Sequence, residues 1–332
     1  MDDGPRMTGV PPDAPRDALP RRGPVAPPGS VAAKGWTMLA LTTLLFGATW
    51  PLVRVGVAIM PPVWFACIRI VGASALLFVF LALIGRLRMP SRQDVPAILS
   101  VGICMMGAFV VLSHIGMQWV EAGRAALLVY TVPLWVTPLA VLVLRERLSR
   151  ARIMGLLIGL GGLAILFNPL GVDWTDRNVM LGNGILIFAS MLWAVSIIQM
   201  RMHVYRLDTL QLAPWQLLVS AIITFVTAMV LEYDRPIAWS DTDVVTVLVA
   251  GTLLLAVSLS IGTSAVRHLP AITASVGFLG IPVVSMLMGA VLLGEAIGVT
   301  LIVGLVVILV GVVIVSIAQV RDNQRERDDG RL

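Results

Sequence analysis

Two arginines, a histidine and a tyrosine stand inside stretches of this chain that are otherwise almost wholly apolar. Arg54 and Arg69 fall in the runs 36–58 and 62–84, His114 in 96–119 and Tyr130 in 124–144. An arginine stays charged and costs about 3 kcal/mol to place in hydrocarbon even on lenient scales. Its chemistry there is to hold an anion or to bond the carbonyls at a helix end. His114 is the only side chain in these runs that titrates near neutral pH, so it is the first candidate for moving a proton. Gln118 adds a carboxamide nearby. Trp50 and Trp193 are indoles in mid-run, placed to wall a cavity and stack a planar ligand. Pro133 and Pro282 each withdraw an N–H from a helix and free a carbonyl, the chemistry of a kink or a gate hinge. Each residue also has a purely structural reading. Arg54 can snorkel to the interface, and the imidazole, carboxamide and hydroxyl can each bond a neighbouring helix.

What is missing narrows the chemistry. All 19 acidic residues lie in tails or at the ends of apolar runs, so no carboxylate stands at mid-depth to carry a proton or hold a cationic compound. The metalloprotease, serine-hydrolase and P-loop signatures are absent, so neither an enzyme nor an ATP-driven pump is expected, and no cofactor. Cys67 and Cys104 are the only cysteines and both sit in apolar runs, which excludes a disulfide framework or a cysteine zinc site.

The elements that must position these residues follow from composition. Of 332 residues 58% are hydrophobic and 13% charged, with mean hydropathy +0.92, where soluble domains are about 25% charged. Apolar runs fall at 36–58, 62–84, 96–119, 124–144 and 153–168, then at 179–200, 210–231, 244–266, 270–293 and 298–318. They are continuous rather than alternating, so they predict membrane-crossing helices and not barrel strands. The expected fold is an all-α membrane protein of ten transmembrane helices. Residues 1–35, with 8 of the 20 prolines among the first 34, read as a disordered tail, and 319–332 as a second, polar tail. Trp36, Trp64, Trp119, Trp174 and Trp239 fall near the run ends, as an aromatic belt requires. Gly155-x3-Gly159 and Gly294-x3-Gly298 read as seams where helices approach closely.

Basic residues set the orientation. With the N-terminus in the cytoplasm, 19 lysines and arginines fall on cytoplasmic segments and 3 on outer ones, leaving Arg54 and Arg69 in the spans. Both termini are therefore expected in the cytoplasm, and the pI near 10.0 is a topology signal and not a sign of nucleic acid. At ~1.5 Å per residue, Arg54 and Arg69 lie about 6 and about 10 Å below the outer boundary, in one outer layer with His114, Gln118 and Tyr130.

The chain repeats itself. At a shift of 149, Pro133 pairs with Pro282, Glu146 with Glu295, Gly155 with Gly304 and Gly162 with Gly311; at 147, Phe46 pairs with Trp193, Arg54 with Arg201 and Ala66 with Ala213. The copies are 36–169 and 179–318. Five crossings each is odd, so the second copy is inverted in the membrane. The flanks agree, since Arg145-Glu146-Arg147 has lost its arginines in Gly294-Glu295-Ala296.

With Phe46-Gly47 in the first span, Pro62 followed by Arg69 in the second, and the doubled proline-to-glutamate turn, the chain resembles the EamA-type drug/metabolite transporter superfamily over about 36–318. It departs where Phe46 replaces the commoner Trp and where Gln216 occupies the second copy's Arg69 position. The resemblance implies transport across the plasma (inner) membrane by alternating access, with a cavity built from spans 1, 3, 4, 6, 8 and 9, and leaves the substrate open. With the unpaired arginines it points to a secondary transporter or facilitator exporting small amino-acid-like or carboxylate metabolites. The alternative is a drug or toxic-compound exporter that relies on Trp50, Trp193 and Tyr130. The expected partners are the small-molecule substrate and the lipid bilayer, with no nucleic acid, and a homodimer is left open.

Overall fold

The computed structural model describes residues 28–145, 149–167, 176–203, 205–268 and 278–328. The N-terminal tail before Pro28, Glu146 and Trp174 lie outside the described residues. The protein is an all-α membrane protein. Its helices are α1 (Pro28–Ile59), α2 (Pro62–Leu83), α3 (Val95–Gly116), α4 (Ala122–Leu144) and α5 (Arg150–Phe167), followed by α6 (Arg177–Met202), α7 (Thr209–Leu231), α8 (Thr242–His268), α9 (Gly280–Leu293) and α10 (Val299–Asp328). Eight contain stretches long and apolar enough to cross a membrane; α5 and the shorter apolar α9 complete the set. Leu83, Leu142, Val230, Val291 and Val299 are among many large apolar side chains that point outward, as a lipid-facing surface demands.

Two helices outrun their apolar stretches. α1 begins at Pro28, and a proline at a first helical position forfeits no hydrogen bond. α10 continues to Asp328 because residues 312–328 contain neither Gly nor Pro and its Gln, Arg and Glu residues are good helix formers. Within α3, Val101–Ala108 winds as a π-helix. α4 is broken at Tyr130 and Thr131 into Ala122–Val129 and Val132–Leu144, since Pro133 can neither donate to nor fit against the carbonyl of Val129. Pro282 likewise falls in the first turn of α9. The twin prolines therefore start twin helical segments, and Pro282 does not kink the described part of its helix.

Neighbour relations carry the internal repeat into space. Exchanging the halves turns α1 against α8 into α6 against α3, α1 against α9 into α6 against α4, and α2 against α8 into α7 against α3; all six pairs are in contact. The pairs α2 with α7, α4 with α9 and α5 with α10 map onto themselves and are also in contact. The last pair is the tightest. A Cβ at Gly155 would lie 2.8 Å from the carbonyl oxygen of Gly311, and one at Gly162 would lie 2.7 Å from the backbone nitrogen of Ile308. Because lipid tails are as apolar as leucine, such close packing is what holds helices together in a bilayer. The second seam read from the sequence is absent: Gly294 is the left-handed C-cap of α9, with φ 68°, and a Cβ at Gly294 or Gly298 would meet nothing within 4 Å.

Carboxylates tie the copies together at both ends of the bundle. At one end, buried Glu232 at the end of α7 accepts from the N–H groups of Val63 and Trp64, each at 3.0 Å, and so caps α2. Glu295 after α9 accepts from Ala122 N–H at 2.7 Å and Gly123 N–H at 3.2 Å, capping α4. At the other end the direction reverses. Asp94 of the first copy accepts from the N–H groups of Arg206 and Leu207, at 2.7 and 3.1 Å, and Arg86 bridges Asp208 at 2.8 Å. Enclosure alone would raise the Asp94 pKa, but hydrogen bonds from Ser91, Leu207 and Arg206 outweigh it and hold the carboxyl at about 2.

Candidate functional site

The break in α4, the π stretch of α3 and the middle of α1 leave a cavity of about 390 Å³ between the copies. Its wall draws on α1, α3, α4, α6, α8 and the start of α9, and also on α2 through Ala66, Arg69 and Ile70, a helix outside the set expected from the sequence. Aromatic rings dominate one side. Trp193 stacks at a tilt against Phe109, with centroids 5.0 Å apart, and meets Tyr130 edge-on at 6.3 Å. Phe46, Trp50 and Phe278 line the cavity with them.

Arg69 is the one charged side chain lining this space among the described residues, and it is 3% exposed. Its Nη1 donates to His114 Nε2 at 3.1 Å, and its guanidinium carbon lies 5.1 Å from the centre of the Phe65 ring. Its Nε is enclosed without a partner, facing Gly251 of α8, where a Cβ would sit 2.6 Å away. His114 Nδ1 meets the Val110 carbonyl at 2.8 Å. A carbonyl only accepts and a guanidinium only donates, so the proton sits on Nδ1, Nε2 offers its lone pair, and the imidazole is neutral. Both partners of the cation are therefore uncharged.

Of the residues expected from the sequence, Trp50, Arg69, His114, Tyr130, Trp193 and the hinge candidate Pro133 share this cavity. Arg54, Gln118 and Pro282 do not line it. Arg54 donates to the Met117 carbonyl. Gln118 bonds the Ile115 carbonyl at 3.2 Å. Beside Arg54, Glu121 has its carboxyl raised above the ordinary range, by partial burial first and by Glu295 second, with Arg124 and Arg54 opposing.

Sequence reasoning missed Phe46, Met106, Val110, Leu255, Leu259, Phe278 and Leu279 as lining residues. The repeat held the signal. Phe46 and Trp193, Trp50 and Ile197, Met106 and Leu255, Val110 and Leu259, Val129 and Phe278, Tyr130 and Leu279 are twins at the shifts of 147 or 149, and every member lines the cavity.

The model of the EamA-like transporter family matches residues 33–168 and again 180–317, the same two copies. The chain belongs to the EamA-like transporter family. Among its relatives, the uncharacterized transporter YoaV of Bacillus subtilis is 24% identical over 81% of this chain and 92% of its own. YvbV of the same organism is 24% identical over 84% and 90%. A protein of Streptantibioticus cattleyicolor, named a probable terminal-alkyne amino-acid exporter, is 31% identical over 39% of this chain and 43% of its own. A solved crystal structure superposes with a TM-score of 0.58 at 20% identity, covering 86% of this chain and 96% of that one, a likeness of fold. This EamA-like protein is thus a multi-pass membrane transporter.

Proposed function

We propose that the protein is a secondary transporter or facilitator that exports small amino-acid-like or carboxylate metabolites across the plasma (inner) membrane by alternating access, with both termini in the cytoplasm. The observation that carries this reading is Arg69, a buried cation lining a cavity between the copies with only neutral partners. A cation placed so is completed by an anionic ligand, and the pseudo-symmetric neighbour relations support two states of similar energy open to opposite sides. The name of the Streptantibioticus relative supports an amino-acid-like cargo. Transport assays with reconstituted full-length protein against amino acids, organic acids and cationic dyes test it: acid-bearing solutes should move, and movement of dyes alone would overturn it. Single cysteines at Ser149 and Gly298, in a chain lacking Cys67 and Cys104, should label from opposite faces, and labelling from one face would sink the inverted arrangement.

A second reading, a drug or toxic-compound exporter, is favoured by the Phe109, Trp193 and Tyr130 cluster. It predicts that Trp193→Ala harms transport more than Arg69→Gln does.

A further inference from the structure

We propose, resting on the anion reading above, that the cavity carries a carboxylate with a flat apolar body and no ammonium group, and that this solute crosses as the anion without an accompanying proton.

The charge count comes first. No aspartate or glutamate lies within any of the ten apolar runs, so nothing in the protein neutralises Arg69 at its own depth. His114 and Phe65, the groups that touch it, are neutral. One monoanion brings the occupied cavity to zero charge. A zwitterion leaves it at plus one, with an ammonium confined to the same about 390 Å³ as the guanidinium, in surroundings where charges are weakly screened. Acceptors for that ammonium are uncharged only. The Thr49 and Ser113 hydroxyls, whose own protons go to the carbonyls of Leu45 and Phe109 at 3.1 and 2.7 Å, and the Tyr130 hydroxyl keep oxygen lone pairs, but no carboxylate lines the cavity among the described residues. What the wall offers instead is ring surface, which fits a planar apolar body. The guanidinium donors left for the ligand are those of Nη2 and the second N–H of Nη1, since one Nη1 proton is given to His114 and Nε is enclosed against Gly251.

Proton exchange needs a group that loses its proton on one side and regains it on the other. The titratable side chains lining the cavity are Arg69 from α2, His114 from α3 and Tyr130 from α4, and none comes from α1, α6, α8 or α9 among the described residues. Both His114 nitrogens are committed, and an unperturbed tyrosine titrates only near pH 10. The solute's negative charge then crosses uncompensated, so the membrane potential acts on it directly.

The test uses full-length protein in liposomes with three solutes sharing one ring and chain: 3-phenylpropanoate, phenylalanine and phenethylamine. Protein-free vesicles at pH 8 give the background. Counterflow of labelled 3-phenylpropanoate, measured without a potential, should exceed that of phenethylamine, which lacks the carboxylate, by about tenfold or more, the effect of one charge-assisted hydrogen bond. It should also exceed that of phenylalanine, whose ammonium stays uncompensated beside the guanidinium. A tenfold potassium gradient clamped with valinomycin should then drive about tenfold accumulation of 3-phenylpropanoate on the positive side, and a pH gradient alone should drive none beyond background. Arg69→Gln should weaken counterflow by about 10- to 100-fold, while Arg69→Lys retains more of it and shows that the fold survives. Gly251→Ala, which crowds Nε without removing charge, should weaken counterflow for all ring-bearing acids alike. Absent counterflow of all three solutes would overturn the anion reading and the proposal together. Equal counterflow of phenylalanine would overturn the exclusion of ammonium. Robust counterflow with accumulation that ignores the potential, or follows the pH gradient, would overturn movement as the bare anion and leave the anion reading standing.

Discussion

The first copy places a charge at the cavity and the second, at the matching position, does not. Arg69 lines the cavity, whereas its twin Gln216 is buried outside it, with its side-chain nitrogen unpartnered. The apolar wall behaves differently, for seven twin pairs, Val132 and Ile281 among them, contribute both members. Symmetry is thus kept in the apolar wall and dropped at the one charged position, as the proposed alternating access around a ligand with one polar end requires. A carboxylate with a single apolar body is itself asymmetric, and one cation serves it better than two.

The largest expected effect comes from erasing that difference. Arg69→Gln, which makes the copies alike, should weaken carboxylate transport by about 10- to 100-fold, the worth of a charge-assisted hydrogen bond. Adding Gln216→Arg should restore nothing, because that position faces away from the cavity; recovery in the double variant, read in the same uptake assay, would mean that the position of the charge is unimportant.

Next is the end where the second copy caps the first. At the shift of 147, Glu232 corresponds to Gly85, so this cap exists once. Glu232→Ala leaves the N–H groups of Val63 and Trp64 bare and should cost about 2 kcal/mol, seen as a lowered unfolding midpoint in detergent. Gly85→Glu should give no matching gain, because α7 already carries its own capping box of Asp208 and Gln211.

At the opposite end the cap is titratable. The Asp94 carboxyl sits at about 2, below its ordinary 3.8. A depressed carboxyl stabilises the fold above its ordinary pKa and loses that contribution as pH falls, so the stability difference between wild type and Asp94→Asn should be full above about pH 4 and shrink towards pH 2. Unfolding midpoints across that range check it, and a constant difference would show that Asp94 acts through packing.

The smallest effect separates the twin turns. The residue before each glutamate is left-handed, with φ 57° at Arg145 and 68° at Gly294. Glycine adopts this freely, whereas a side chain there costs about 1 kcal/mol. Arg145→Gly should therefore raise stability by about 1 kcal/mol in the same unfolding assay, while Gly294→Ala should lower it.

The ten helices were legible because a bilayer demands about 20 apolar residues per crossing, and the repeat because proline, glutamate and glycine stand out against aliphatic runs. The site was legible only where residue type itself is costly. Arg69, His114, Trp50 and Tyr130 announce themselves, but Phe46, Phe109 and Met106 have the same composition whether they face lipid or a cavity. Order along a span can be counted in the sequence and azimuth cannot, which is why Arg54 and Gln118 were expected beside Arg69 and do not line the cavity. The π stretch of α3 and the carboxylate caps leave no sequence sign, since both depend on backbone groups that every residue carries.

The glycine seam between α5 and α10 has a mechanical consequence. Gly155, Gly159 and Gly311 bring two backbones into direct contact, and neither helix contributes to the cavity wall. A seam in which backbone meets backbone, with α10 side chains seated against the α5 glycines, makes a poor shear plane and a good pivot. On the proposed alternating access, displacement would grow with lever arm: a small rotation that leaves the glycines touching would be multiplied with distance from the seam.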